Sequence, residues 1–459
     1  MSLDARPPAD ARDDPGASSA PALALDVDDI AAYEAFGRGN AHIVFRYSGP
    51  RRELRGALLR ARRARAGVVN DAASPWRCHA VDAAAWGVDG TRADWTALDA
   101  AARDAFFATA GEGGGGVGRV RDDVGIVVMS ADAARALGAK STAEGGRGTC
   151  VAETRGQLSE FAAETCDVFT ARDGAECVLI EVKPKSFIGS ASAGSRWWRF
   201  PAHQRLRVAR GETARASEYV PVDLLGDEDD VERACDALLR CPQNNLRVSR
   251  AHPSKSASTD LLGDAAFAGP LRRALPKILR DARDVFEFIF RHQGNGGDDD
   301  PETFRVVHDV VCELTERMER GEVVHDETGW SRTLELLRRF VLGQMAKDCS
   351  VLFTANLDAG HVDEHSRASL EREHAVRFVS YVDDTGVQRC CAYRAQILDA
   401  SLKSFAKTAA WSRLADDIAA FVRPSTDDAV PRAFVDELFQ NLDPGRFRVD
   451  LATSVVERA

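Results

Sequence analysis

Apolar positions change their rhythm near residue 185. Before it they alternate or run on continuously; after it they recur mostly with helical spacing. "FGRGNAHIVFRYSG" (Phe36–Gly49) sets glycines ahead of an alternating apolar run, which predicts a Gly-rich turn opening into a strand. "LRGALLRARRARAG" (Leu54–Gly67) reads as a strand or a strand–helix unit, and "VGIVVMS" (Val124–Ser130) as a buried strand. Residues 133–172 read as a helix followed by an irregular insertion. In "VLIEVKPKSF" (Val178–Phe187), an apolar strand runs into Glu181, and Lys183 and Lys185 then straddle Pro184. Farther on, Asp230–Cys241, Leu271–His292, Trp330–Asp348 and Ser412–Val422 carry helical periodicity. Residues 375–399 read as a hairpin turning at Asp384–Gly386. "EGGGGVG" (Glu112–Gly118) reads as a surface loop and "GNGGDDDPE" (Gly294–Glu302) as a solvated linker. The expected fold class is mixed α/β (α+β). A disordered tail is expected over 1–24, an N-terminal α/β lobe over 25–185 and an enlarged helical C-terminal lobe over 186–459.

Composition narrows the function classes. Among 459 residues, 60 Lys and Arg face 71 Asp and Glu, a net charge of −11, so general adhesion to nucleic acid is excluded. A basic pocket for a small anion remains compatible with an acidic surface. The ten cysteines form no CxxC pair, which points to free thiols in a reducing compartment and to no structural zinc. No apolar run approaches membrane-spanning length and no apolar signal core opens the chain. A soluble, intracellular monomer of the cytoplasm or nucleus is expected.

Candidate chemistry sits in cationic islands beside apolar elements. Pro184 fixes one backbone angle and restricts Lys183, so the two ammonium groups are presented with little freedom. A strand that ends in a charged turn would show the same residues. In "RFPAHQRLR", Arg199, His203 and Arg207 fall at i, i+4 and i+8, one face of a helix. "CPQNNLRV" (Cys241–Val248) breaks a helix ahead of Arg247, and "AKDCSVLF" (Ala346–Phe353) places Lys347 and Asp348 before an apolar strand. In "ILDASLKSFAKTAAW", Asp399, Lys403, Lys407 and Trp411 fall at i, i+4, i+8 and i+12, and the two lysines and the tryptophan share a stripe if the segment is helical from Lys403.

Together these segments resemble the inositol-pentakisphosphate 2-kinase family. Its E-x-K-P-K signature matches Glu181, Lys183, Pro184 and Lys185, and R-F-x-x-H-Q matches Arg199, Phe200, His203 and Gln204. S-E-Y-x-P-x-D-L matches Ser217–Leu224, P-Q-N-N-x-R-V matches Pro242–Val248, A-K-D-C-S matches Ala346–Ser350, and D-x-S-L-K matches Asp399–Lys403, all in the family's order. The resemblance implies a two-lobed, protein-kinase-like fold. It implies transfer of the ATP γ-phosphoryl to the axial 2-hydroxyl of inositol 1,3,4,5,6-pentakisphosphate, with Mg²⁺. Carried over by position, it assigns Gly37, Gly39, Asn40 and Ala41 to the loop over the ATP phosphates, though a plain tight turn uses the same residues. Arg60, Glu181, Lys183 and Arg247 would face the nucleotide, and Ser130 and Asp132 the adenine side. Arg65, Lys185, Arg207, Asn244, Lys403, Lys407 and Trp411 would hold the substrate; Trp411 is also a plausible core aromatic. Asp348 would orient or deprotonate the attacking hydroxyl, Lys183 would serve catalysis beside it, and Asp399 would hold the metal. His203 is read as a core histidine rather than a catalytic one.

The chain also departs from the family. Ala57 replaces a usual lysine and Arg38 a usual acid, and Arg205, Arg207 and Lys407 are Lys/Arg exchanges. The substrate arginine expected between Trp76 and Val124 has no assigned position, with Arg119 and Arg121 as candidates. Two function classes therefore stand: a working 2-kinase, and a non-catalytic inositol-phosphate binder on the same fold.

Overall fold

The structure is a computed structural model that describes residues 23–38, 42–47, 50, 58–65, 80–87, 95–108, 124–129, 133, 136–137, 149–151, 155–159, 177–190, 197–251, 261–296, 301–321, 330–360, 362–422, 447–450 and 455–458. It mixes helices with mainly antiparallel sheet. Among the described residues, no helix is long and apolar enough to cross a membrane. The chain divides into two compact units, residues 1–67 with 124–159, and residues 68–123 with 160–459.

The first unit is a seven-stranded sheet. Tyr33–Arg38 and His42–Tyr47 pair as a hairpin whose register shifts between Ala35 and Gly37, so Gly37 sits at a bulge. Leu58–Arg65, one of the open readings of its segment, is a strand paired to His42–Tyr47. Leu23–Leu25 runs parallel to Val127–Met129, so the tail expected to reach residue 24 gives way to a strand at Leu23. The stretch read as an irregular insertion contributes two strands, Thr149–Val151 and Arg155–Ser159, both paired to Leu58–Arg65.

The second unit is built around a five-stranded sheet in the order Leu246–Ala251, Cys177–Val182, Ser350–Asn356, Gln388–Leu398, Arg377–Val382, with every neighbour antiparallel. This corrects the expected boundary after Lys185. The Glu181 strand hydrogen-bonds to strands from far downstream, so it belongs to the second unit rather than closing the first. Alternation along it is strict: Val178, Ile180 and Val182 enter the main core, while Leu179 joins a small cluster on the other face with Leu352, Val376 and Ala392.

Helices pack on the main face. Glu228–Arg240 starts on a capping box between Asp227 and Asp230. The periodic stretch read as one helix over 271–292 is two, Ala265–Asp281 and Arg283–Asn295, broken at Ala282. The supposed linker ends where Pro301 opens a further helix, Pro301–Glu319. Helices Ala80–Trp86 and Trp95–Ala108 also join this unit. A Cβ on Gly296 would lie 2.9 Å from the Gly343 Cα, so the end of Arg283–Asn295 meets helix Trp330–Ala346 at a distance only glycine permits.

His292 is 4% exposed and stacks on Phe106 with centroids 4.3 Å apart. Burial pushes its imidazole down to about 4. The unfolded chain therefore takes up this proton near pH 6.5 while the native ring stays neutral until about pH 4. Stability is expected to fall as pH drops through that window. His292→Gln should flatten the fall by about 3 kcal/mol in denaturant titrations repeated at pH 7 and pH 4.

Candidate functional site

Antiparallel topology gathers the site. Strand Cys177–Val182 ends, Ser350–Asn356 begins, Gln388–Leu398 ends and Leu246–Ala251 begins at one end of the sheet, because Val182 pairs with Leu246 and Val351, and Ser350 with Leu398. The four connections that leave there carry Lys183 and Lys185, Asp348, Asp399 and Lys403, and Asn244 and Asn245.

Glu181 lies opposite Arg247 in the register, and their side chains pair at 3.8 Å. From the other neighbouring strand, the Ser350 hydroxyl donates to Glu181 Oε1 at 2.8 Å. Lys183 lies 4.0 Å from Glu181 and 3.4 Å from Asp399. Lys403 donates to Asp348 Oδ2 at 2.5 Å. Lys183, Lys185, Lys403 and Arg247 outnumber Glu181, Asp348 and Asp399 by one, so the cluster is a net cationic patch on an acidic protein.

The charges perturb one another. Partial desolvation opposes ionisation of Asp348, but Lys403, then Lys185 and Lys183, outweigh it and hold the carboxyl below its usual value. Burial, aided by Lys183 and Lys403, lowers the Lys185 ammonium pKa against the pull of Asp348. The Cys349 thiol, fully buried, is pushed up to about 12 and is no nucleophile at neutral pH.

Backbone bonds hold this arrangement in place. Asn245 O accepts the Lys183 N–H at 2.8 Å, and the buried Tyr219 hydroxyl donates to Pro184 O at 3.2 Å. Gln293, 0% exposed, donates to Lys185 O at 2.8 Å and to Ala346 O at 3.2 Å, and accepts the Phe187 N–H at 2.8 Å. Lys185 (φ 66), Asp399 (φ 59) and Gln243 (φ 45) have left-handed backbones, each costing roughly 1–3 kcal/mol, and such strain concentrates at functional sites.

Other expected residues lie elsewhere or have other partners. Arg199, His203 and Arg207 do lie on helix Arg199–Ala209. Burial first, then Arg199 and Arg207, push His203 down to about 4, so the ring stays neutral. Arg199 stacks on Phe304 at 4.8 Å, where Lys347 also lies 5.8 Å from the ring, linking this helix to the Asp348 segment. Arg207 pairs with Glu212 at 3.4 Å. The expected Lys403–Trp411 stripe does not form: the α-helix starts at Thr408 and Lys403 precedes it on an irregular segment. Trp411 is half-buried against Phe340, at 5.9 Å between centroids, as a core aromatic would be. Lys407 is exposed.

Gly37, Arg60 and Arg65 lie on strands of the first unit. Gly39, Asn40, Ala41, Ser130, Asp132, Arg119 and Arg121 lie outside the described residues, as do Ala57 and the first 22 positions.

Sequence reasoning missed several residues. It chose Asn244, which is exposed, over Asn245, which is fully buried and whose side-chain amide has no hydrogen-bond partner among the described residues. Gln293 had a legible signal: it occupies the next core position after Phe286, Ile289 and Phe290 in an apolar helical series.

A net cationic patch with embedded carboxylates at one end of an antiparallel sheet suits a protein that handles a multiply charged anion. A family model described as inositol-pentakisphosphate 2-kinase matches residues 36–417, and the chain belongs to this family. Among relatives, an inositol-pentakisphosphate 2-kinase of Arabidopsis thaliana is 38% identical over 84 residues, 16% of this chain and 19% of that protein. The protein of that name from Oryza sativa subsp. indica is 22% identical over 227 residues, 39% of this chain and 48% of the relative. A Drosophila melanogaster inositol-pentakisphosphate 2-kinase is 36% identical over 90 residues, 18% of this chain and 14% of the relative. The chain thus aligns with half or less of the length of each of these relatives.

Replacing Gln293 by Leu removes three buried hydrogen bonds at once and leaves Lys185 O, Ala346 O and the Phe187 N–H unpaired. A loss of about 3 kcal/mol or more is expected in chemical denaturation. A loss under about 1 kcal/mol would mean that water replaces the amide.

Proposed function

We propose that this protein is an ATP-dependent inositol-pentakisphosphate 2-kinase that moves the γ-phosphoryl of ATP to the axial 2-hydroxyl of inositol 1,3,4,5,6-pentakisphosphate, giving the hexakisphosphate. The observation that carries this reading is Asp348, paired to Lys403 at 2.5 Å with Lys185 beside it, at the strand ends where the family's motifs converge.

Phosphoryl transfer demands positioning and charge neutralisation more than covalent help from the protein. Lys403 and Lys185 keep Asp348 ionised, so its carboxylate can accept the hydroxyl proton as the oxygen attacks. The same lysines then face the phosphates of the acceptor, with Asn244 and Asn245 beside them and Arg207, Lys407 and Trp411 as outer contacts. Lys183, set between Glu181 and Asp399, serves the nucleotide side together with Arg247. By the family resemblance alone, Gly37, Gly39, Asn40, Ala41 and Arg60 would serve the nucleotide, Ser130 and Asp132 its adenine and Arg65 a substrate phosphate.

A magnesium ion fits the donor set. Among the described residues, no group of three or more His, Cys, Asp or Glu could cage a metal, and Asp399 offers a 44% exposed carboxylate. Mg²⁺ is usually held by one or two carboxylates, with phosphates and water completing its shell. Asp399 would hold it, and the ion would neutralise charge on the nucleotide phosphates.

The non-catalytic alternative predicts ligand binding without turnover, and the presence of both Asp348 and Asp399 in the cluster speaks against it. Asp348→Asn keeps the shape and removes the base. Phosphoryl transfer to inositol pentakisphosphate should fall by about 10²–10⁴-fold while calorimetric affinity for that substrate changes only a few-fold. Wild-type protein that binds the substrate and transfers nothing would select the binder.

A further inference from the structure

Lys403 is the cation closest to Asp348, yet the segment that carries it has no regular structure: residues 399–404 link strand Gln388–Leu398 to the turn at Phe405. Two carboxylates hold that segment, and both come from the helical pair between residues 80 and 108. Asp99, 0% exposed, accepts the Leu402 N–H at 2.5 Å. Asp82, also 0% exposed, accepts the Ser404 hydroxyl at 2.6 Å and the Phe405 N–H at 3.1 Å. The residues on both sides of Lys403 are thus tied inward, while its own side chain reaches Asp348. Ser404 Oγ also accepts the Ala406 N–H, which starts the turn leading into helix Thr408–Val422.

Burying a carboxylate is costly unless ionic hydrogen bonds compensate. A helix pair that buries two of them on one short segment fixes that segment's backbone far more tightly than apolar packing would. We infer that Asp82 and Asp99 are positioning residues that act through Lys403: they set where its ammonium stands and so hold Asp348 in place. The kinetic part of this inference rests on the function proposed above; the positioning part does not.

The experiment uses the full chain with Asp82→Asn, Asp99→Asn and the control Asp104→Asn, an exposed position on the same helix as Asp99. Folding is checked by circular dichroism and thermal melting. Amine acylation of Lys403, read by mass spectrometry against the exposed Lys407, reports how well the ion pair shields it. Labelling of Lys403 should rise several-fold in Asp82→Asn and Asp99→Asn, approach that of Asp348→Asn, and stay at the wild-type level in Asp104→Asn. Unchanged labelling in both folded variants overturns the inference. In turnover, each variant should lose about tenfold or more in kcat with little change in the KM for ATP. That loss should vanish when the change is made on top of Lys403→Met, because residues acting through one group are not additive. Additive losses would show a general structural role and also overturn the inference. Wild-type protein that shields Lys403 but transfers no phosphoryl would sink the proposed function and leave the positioning role intact.

Discussion

The amide of Gln293 is the constraint on which the site depends. One planar group joins the lysine loop, through Lys185 O and the Phe187 N–H, to the end of the helix that delivers Asp348, through Ala346 O. An amide satisfies this demand because it offers an acceptor and two donors on one rigid plane. Leucine has the volume but none of the bonds, and glutamate has only acceptors. The close approach of Gly296 to Gly343 brings the two helices near enough for the reach. Helix packing, rather than the strands alone, thus sets the separation between the lysines and the aspartate.

Around that anchor the charges alternate. Arg247, Glu181, Lys183 and Asp399 form one chain of neighbours, while Lys403 and Asp348, with Lys185 beside them, form another. Unrelieved, four cations so near one another would repel and loosen their loops. Interleaved carboxylates let the protein fold with these cations already placed. The polyanionic substrate proposed above would meet them in position and need not order them, which is where preorganised electrostatics gains most. Left-handed backbone at Lys185 and Asp399 is the strain this arrangement tolerates.

Much of this was legible in the residues. The apolar runs at Val178–Ile180 and Val351–Phe353 predict two of the three inner strands, and the turn at Asp384–Gly386 predicts the hairpin. Motif order brought Lys183, Lys185, Asp348, Asp399 and Lys403 together as candidates. What escaped was set by tertiary context. The stripe from Lys403 to Trp411 assumed helix where Asp82 and Asp99 offer the backbone better partners than a helical turn would. The break at Ala282 lies inside a continuous periodic pattern, which cannot show where one helix stops and the next begins. Helix Pro301–Glu319 was hidden by the glycines and aspartates ahead of it.

The lysine–proline–lysine spacing has a physical reading of its own. In an extended chain, residues i and i+2 point the same way, so two lysines so spaced would crowd one spot with like charge. Here the backbone does not stay extended. Lys183 keeps its ladder-like bond to Asn245, Pro184 needs no partner for a missing N–H and is buried, and Lys185 turns into the left-handed region. The two ammonium groups therefore take different surroundings, Lys183 between Glu181 and Asp399, Lys185 near Asp348 and Lys403. A flexible residue at the centre would let the pair relax toward a common counter-ion. Proline, locked in φ and held by Tyr219 through its carbonyl, keeps the two like charges in separate surroundings, one beside Asp399 and one near Asp348. Those carboxylates, Asp399 and Asp348, are the two that the proposed phosphoryl transfer would use, one on its donor side and one on its acceptor side.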